Sequence, residues 1–204
     1  MTIVESPRGN SSTRDAVLDA IDRLLTSTGF REIRMEDIAR EAGCSRRAIY
    51  TYFPSKEEVG LSSIDRVVER THAHLRALAA AHREPTACLR RMLVERVLFR
   101  IDSVHAYRQS LDELFEFVRP AYMIRRRRHL SAEAEIFAAV LVAGPARFVV
   151  DDAMATAVTL IRATNAFLPY SLSVQELGER AQIAADAERM ADLLLRGLCK
   201  GAPR

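Results

Sequence analysis

Lysine is nearly absent: Lys56 and Lys200 are the only two in 204 residues, so almost all of the positive charge is arginine. A guanidinium fork suits bidentate contacts to phosphates and base edges, although an arginine-rich genome gives the same bias. Cysteine is scarce as well. Cys44, Cys88 and Cys199 are odd in number, far apart and in no CxxC spacing, which argues against a disulfide framework and a structural zinc site and for a reducing compartment. No apolar run approaches the ~18 residues that cross a bilayer, and the polar start MTIVESPRGNSST lacks the apolar core of a secretory signal. The expectation is a cytoplasmic protein with no membrane segment, no metal and no cofactor. Strand-like alternation is hard to find. Nucleophile motifs, phosphate loops and paired carboxylates are missing too, which argues against an enzyme.

What is present is helical periodicity along most of a chain that is 49% hydrophobic and 28% charged, a balance that supports a globular core. The fold class is all-α. Residues 1–12, rich in Ser, Pro, Gly and Asn, are expected to be a mobile arm that includes Arg8. A first helix is expected from Thr13 to Thr28, ended by Gly29, with Val17, Leu18, Ile21, Leu24 and Leu25 on one face. A second, Met35 to Ala42, turns Met35, Ile38, Ala39 and Ala42 inward. Gly43 supplies a positive φ, Ser45 caps a third helix from Arg46 to Phe53, and Ile49 and Phe53 fall on its inner side. Two short helices joined by a Gly-containing turn make a helix-turn-helix. Pro54 stops it, and Ser55 with Glu58 forms a capping box for a long helix from Lys56 to Ala81. Further helices are expected near 86–102, 104–118, 120–143, 152–168 and 174–198. They are separated by Pro85, Pro120, Gly144-Pro145 and Pro169, with Ser173 and Glu176 capping the last.

With Ile49 and Phe53 inward, Arg46, Arg47 and Tyr50 project outward from a stretch, GCSRRAIYTYFPSK, that contains no acidic residue. Such positions meet base edges in the major groove, where arginine pairs with guanine and a small Ala48 permits close approach. Thr51, Tyr52 and Lys56 suit phosphate contacts, which set docking register without reading sequence. The patterning favours DNA binding, although three-helix units with a few exposed arginines also occur in proteins that never meet DNA.

The run Gly29-Phe30 followed by MEDIAREAGCSRRAIYTYFPSKEEV, Met35 to Val59, resembles the tetracycline-repressor (TetR) family of bacterial transcriptional regulators. The resemblance covers about the first quarter of the chain, and the rest matches only by length and helix count. It implies base contacts from Arg46, Arg47, Ala48 and Tyr50 and phosphate contacts from Thr51, Tyr52 and Lys56; Ser45, which opens the helix, joins them as a DNA-binding candidate. Two positions depart from the family pattern. Arg34 stands where a Thr or Ser usually opens the second helix; it cannot cap but can reach a phosphate. Cys44 replaces an aliphatic residue and reads as a small core side chain rather than a redox sensor.

The resemblance implies three segments: the arm 1–12, a helix-turn-helix domain 13–55, and a ligand-binding and dimerisation domain 56–204. For a homodimer interface the candidates are Met154, Val158, Ile161, Leu177, Ala184, Ala191 and Leu194, in stripes whose small residues allow close helix approach. The same stripes can instead bury against their own chain. For a small-molecule effector pocket the candidates are Met92, Phe99, Tyr107, Phe115, Tyr122 and Met123, with Arg96 and Arg100 facing an anion or pairing with Glu113 or Glu116. Structural core is the bland fate of each. His72, His74 and His82 lack the i, i+4 spacing of a metal pair, and Arg125 to Arg128 point in four directions. The implied function is a ligand-responsive repressor. It would bind a pseudo-palindromic double-stranded operator as a homodimer, with effector binding tilting the fourth helix. The alternative is a DNA-binding regulator controlled by a protein partner.

Overall fold

The computed structural model describes residues 8–172 and 178–199. Eight α-helices are found among them: α1 Arg8–Leu25, α2 Met35–Ala42, α3 Arg46–Tyr50, α4 Lys56–Ala81, α5 Pro85–Val104, α6 Leu111–Ala143, α7 Ala153–Thr164 and α8 Arg180–Leu198. Short 3-10 turns span His105–Ser110 and Asn165–Phe167. No strand is present among the described residues, only an isolated bridge between Phe148 and Cys199.

The differences from expectation have local causes. Residues 8–12 form the first turns of α1 instead of an arm, so only residues 1–7 of that arm lie outside the described part. At its other end α1 stops at Leu25, where Thr26 and Ser27 turn their N–H groups back to Arg23 and Leu24. Helix α3 ends at Tyr50, since the N–H groups of Thr51 and Tyr52 reach back three residues to Ala48 and Ile49. Pro120 sits inside α6 and does not split it. Its ring fixes φ in the helical range, and the loss is one N–H to the carbonyl of Glu116. The expected Ser173–Glu176 capping box, Val174 and Leu177 fall outside the described residues.

Two compact units are present. Among the described residues the first comprises 8–66 and 106–122. Its apolar interior joins Leu18, Ile21 and Leu25 of α1, Ile38 of α2, Ile49 and Phe53 to Leu114, Phe115 and Val118 of α6. The early turns of α6 therefore belong to the core of the helix-turn-helix unit, although only 13–55 was expected to form it. Gly60 is the tight point: a Cβ there would come within 2.9 Å of both Leu114 Cδ1 and Phe30 Cε2, so no larger residue fits without a shift. Arg66 is 9% exposed and grips α1 through Asp19 and Asp22 at 2.6 and 2.7 Å.

Among the described residues the second unit comprises 67–105, 123–172 and 178–199. Its core takes Leu75 and Leu78 from α4, Cys88, Leu89, Met92 and Leu93 from α5, Phe137 and Leu141 from α6, Leu160 and Ile161 from α7, and Ala191, Leu195 and Leu198 from α8. Ile161 and Ala191 are fully buried in it. They face their own chain and not a surface stripe, because the apolar sides of α7 and α8 both turn toward α5. Arg96 and Arg100 also depart from expectation. Both pair with Glu133, whereas Glu113 and Glu116 face Arg31.

Candidate nucleic-acid interface

The α2–α3 unit is built from short-range interactions. Arg34 does not cap α2 with its side chain, since a guanidinium has no acceptor; instead its N–H donates to Asp37 Oδ2 at 3.0 Å. Gly43 closes the helix at φ 65°, a left-handed conformation that a side chain would strain, and the N–H of Cys44 returns to Ala39 O at 3.0 Å. Ser45 Oγ then accepts the N–H of Ala48 at 3.1 Å and opens α3. Ile49 is fully buried and Phe53 is 1% exposed, which fixes the rotation of α3.

That rotation leaves Ser45, Arg46, Arg47 and Tyr50 exposed, with Ala48 half-buried between them. Arg34, on the same unit, is exposed as well. Neither Arg34 nor Arg47 has an ion pair among the described residues. Arg46 is different. Its guanidinium lies 2.5 Å from Glu36 Oε1 and 5.9 Å from the centre of the Tyr50 ring, and bonding to Tyr50 with the nearby Glu36 carboxylate holds its pKa above the usual arginine value. Glu36 was not anticipated; the acid-free stretch hid an acid contributed by the preceding helix.

The outgoing residues are also engaged. Thr51 Oγ1 donates to Arg47 O at 3.1 Å, and Tyr52 is half-buried against Phe53, ring centres 6.4 Å apart. Lys56 Nζ donates to Phe30 O and Arg31 O at 2.8 and 3.2 Å and sits 4.7 Å from the Phe30 ring centre. With two of its three protons committed, Lys56 clamps the α1–α2 connection. Cys44 is half-buried and, with its thiol pKa raised by burial, is not a ready thiolate.

The surface is thus a rigidly seated helix presenting two arginines and a tyrosine, flanked by further cations, which is a geometry for the edges of a duplex groove. Residues 17–61 match the family model described as bacterial regulatory proteins, tetR family. In this segment the chain is similar to the tetR family. It is 38% identical over 94 residues to the HTH-type transcriptional regulator EthR of Mycolicibacterium smegmatis. That match spans 42% of this chain and 43% of EthR, less than half of either. Among solved structures, a transcriptional regulator from Cytophaga hutchinsonii aligns with a TM-score of 0.71 at 18% identity, covering 90% of this chain and 97% of its own. NalD of Pseudomonas aeruginosa, the secondary repressor of the MexAB-OprM multidrug efflux pump, aligns at 0.60 and 20% identity over 95% of this chain and 99% of its own. At these identities the two structures establish a shared fold.

The remaining candidates do not form one group. Tyr107, Phe115 and Tyr122 are buried in the first unit, the last two edge to face at 5.9 Å. Met92, Arg96, Phe99 and Met123 belong to the second unit. There Met92 is core, Phe99 stacks on His74 at 4.9 Å, and Met123 is 48% exposed. Of the interface candidates, Met154 is exposed and Val158, Ala184 and Leu194 are half-buried. Leu193, at 63% exposure, was not anticipated, and neither were the exposed Val142 and Val149. No His, Cys, Asp and Glu cluster able to hold a metal occurs among the described residues, and no described helix is long and apolar enough to cross a membrane.

Proposed function

We propose that the chain is a sequence-specific DNA-binding transcriptional regulator rather than an enzyme: a ligand-responsive repressor that binds a pseudo-palindromic operator as a homodimer. The observation that carries the DNA-binding reading is the tetR-family segment 17–61 with its α3 face of Arg46, Arg47 and Tyr50. Arg46 and Arg47 would contact base edges, and Arg34, Thr51, Tyr52 and the remaining proton of Lys56 would contact phosphates. Dimerisation is supported by the exposed apolar residues Met154 on α7 and Leu193 on α8. A ligand lowers DNA affinity only through its preference for the conformation that does not bind DNA.

The test is selection of duplexes from a random pool by the purified protein at physiological salt. Enrichment of an inverted repeat, with half-sites about one helical turn apart or a multiple of it, supports the proposal. Recovery of unenriched DNA refutes it.

A further inference from the structure

In the second unit, α4, α5, α6 and α7 converge on a buried polar cluster with an uneven charge count. Arg96 is 1% exposed and bonded through all three of its nitrogens: Nε and Nη2 fork onto Glu133 at 2.9 and 3.2 Å, Nη1 donates to Thr164 Oγ1 at 2.8 Å, and Nη2 also donates to Asn165 Oδ1 at 2.7 Å. Among the described residues Arg100 makes one bond, from Nη2 to the same Glu133 Oε1 at 3.0 Å. Among the described residues Glu133, 2% exposed, is the lone carboxylate bonded to either guanidinium. Burial alone would raise its pKa, yet the charges of Arg100 and Arg96 hold it down to about 2, so it stays ionised. Two buried guanidiniums against one carboxylate leave a positive charge over.

Two polar atoms are left over as well. Arg100 Nε and His72 Nε2 are buried with no hydrogen-bond partner among the described residues, on side chains more than nine-tenths buried. His72 senses the charges of Glu133, Arg100, His129 and Arg76, and burial pushes its pKa down to about 4, so the imidazole is neutral at pH 7 and one tautomer bears its proton on Nε2. An uncompensated buried cation beside unpaired donors is costly unless something completes it.

We propose that this cluster is a binding site for the carboxylate of a small monoanionic ligand, received by Arg100 Nε–H and His72 Nε2–H. One negative charge closes the count. A phosphate dianion would leave a buried negative charge in place of the positive one, and a neutral amide would present its own donors to a wall that already donates. Within the regulator proposed above, on which this assignment of an effector class rests, Arg96 is the prop that positions Glu133, and Arg100 with His72 is the receiving edge.

Full-length protein is titrated by calorimetry and by thermal melting with benzoate and octanoate, each beside its uncharged amide, and with inorganic phosphate. The carboxylates bind saturably and raise the melting temperature, whereas the amides and phosphate do neither. Arg100→Met loses about tenfold or more in carboxylate affinity, the equivalent of one charged hydrogen bond, and melts no lower than wild type without anion because it removes the spare charge. His72→Phe, which keeps every arginine, loses affinity in the same direction. Glu133→Gln adds a second uncompensated charge, so it melts lower without anion and gains a larger upward shift from carboxylate than wild type shows. A merely structural cluster would weaken in all three variants with no carboxylate response. The proposal is overturned if neither carboxylate binds, if phosphate binds in their place, or if Arg100→Met binds them as wild type does. Duplex selection reads the regulator separately: selection of an inverted repeat without carboxylate binding removes this site alone, and carboxylate binding without selection removes the regulator alone.

Discussion

Replacing Arg46 and Arg47 singly by alanine separates two arginines that the sequence presents as equals. A bidentate arginine–guanine contact contributes roughly 1–3 kcal/mol of discrimination. Arg47 has no ion partner among the described residues to leave, so Arg47→Ala should lose that full range on the operator. Arg46 must first release Glu36, and an exposed pair of this kind is worth about 0–1 kcal/mol, so Arg46→Ala should lose less by about that amount. Glu36→Gln supplies the opposite sign: it frees Arg46 and removes a negative charge from the proposed DNA-facing surface, and should tighten operator binding by up to about 1 kcal/mol per subunit. Fluorescence anisotropy with a selected operator and a random duplex, at several salt concentrations, measures all three. If both arginine variants keep the ratio of operator to random affinity while lowering the salt slope, α3 holds the backbone and reads nothing. If Glu36→Gln weakens operator binding, Glu36 orients Arg46 instead of competing for it.

Lys56→Met should lower stability by about 1–3 kcal/mol in urea melts, because it removes the cationic donor that holds two carbonyls, and it should reduce the salt slope by about 0.9 for each phosphate no longer neutralised. An unchanged melt with a reduced slope would make Lys56 a phosphate contact only. Met154→Asp combined with Leu193→Asp should give monomers in sedimentation at micromolar concentration, and a persistent dimer would place the interface elsewhere. His72 stays neutral in the folded chain down to about pH 4, while in the unfolded chain it takes up a proton below about 6.5. Its contribution to stability is therefore fully present above pH 6.5 and is lost as the pH falls toward 4, with a ceiling of about 3 kcal/mol. Between pH 7 and 5, wild type should lose more stability than His72→Gln, and parallel losses would refute the assignment.

The helix-turn-helix could be read from sequence because its determinants are local: Gly43 at the turn, Ser45 at the cap, and Ile49 and Phe53 one turn apart on the buried side. The same holds for α2 and α4, whose ends fall where Met35, Ala42, Lys56 and Ala81 were expected. The unforeseen pairings are non-local. Glu36 meets Arg46 across the turn, and Arg96 and Arg100 reach Glu133 more than thirty residues away, chosen by helix packing over the equally plausible Glu113 and Glu116. Periodicity marked α7 and α8 as apolar without saying which stripe faced their own chain, so Ile161 and Ala191 were expected at a surface where Met154 and Leu193 lie. Pro120 misled in the other direction, since a long helix packed along its length tolerates the loss of one hydrogen bond.

The central claim is that α3 enters the major groove and reads guanine with arginine. Methylation of guanine N7 with dimethyl sulfate places a methyl group at the atom such an arginine would contact, so interference mapping on the selected operator addresses the claim atom by atom. The account predicts that methylation at one or two guanines in each half-site blocks binding, and that Arg47→Ala abolishes the effect at one of them while the rest of the pattern persists. Binding that is indifferent to N7 methylation in both half-sites, or a pattern that Arg47→Ala leaves unchanged, would contradict it.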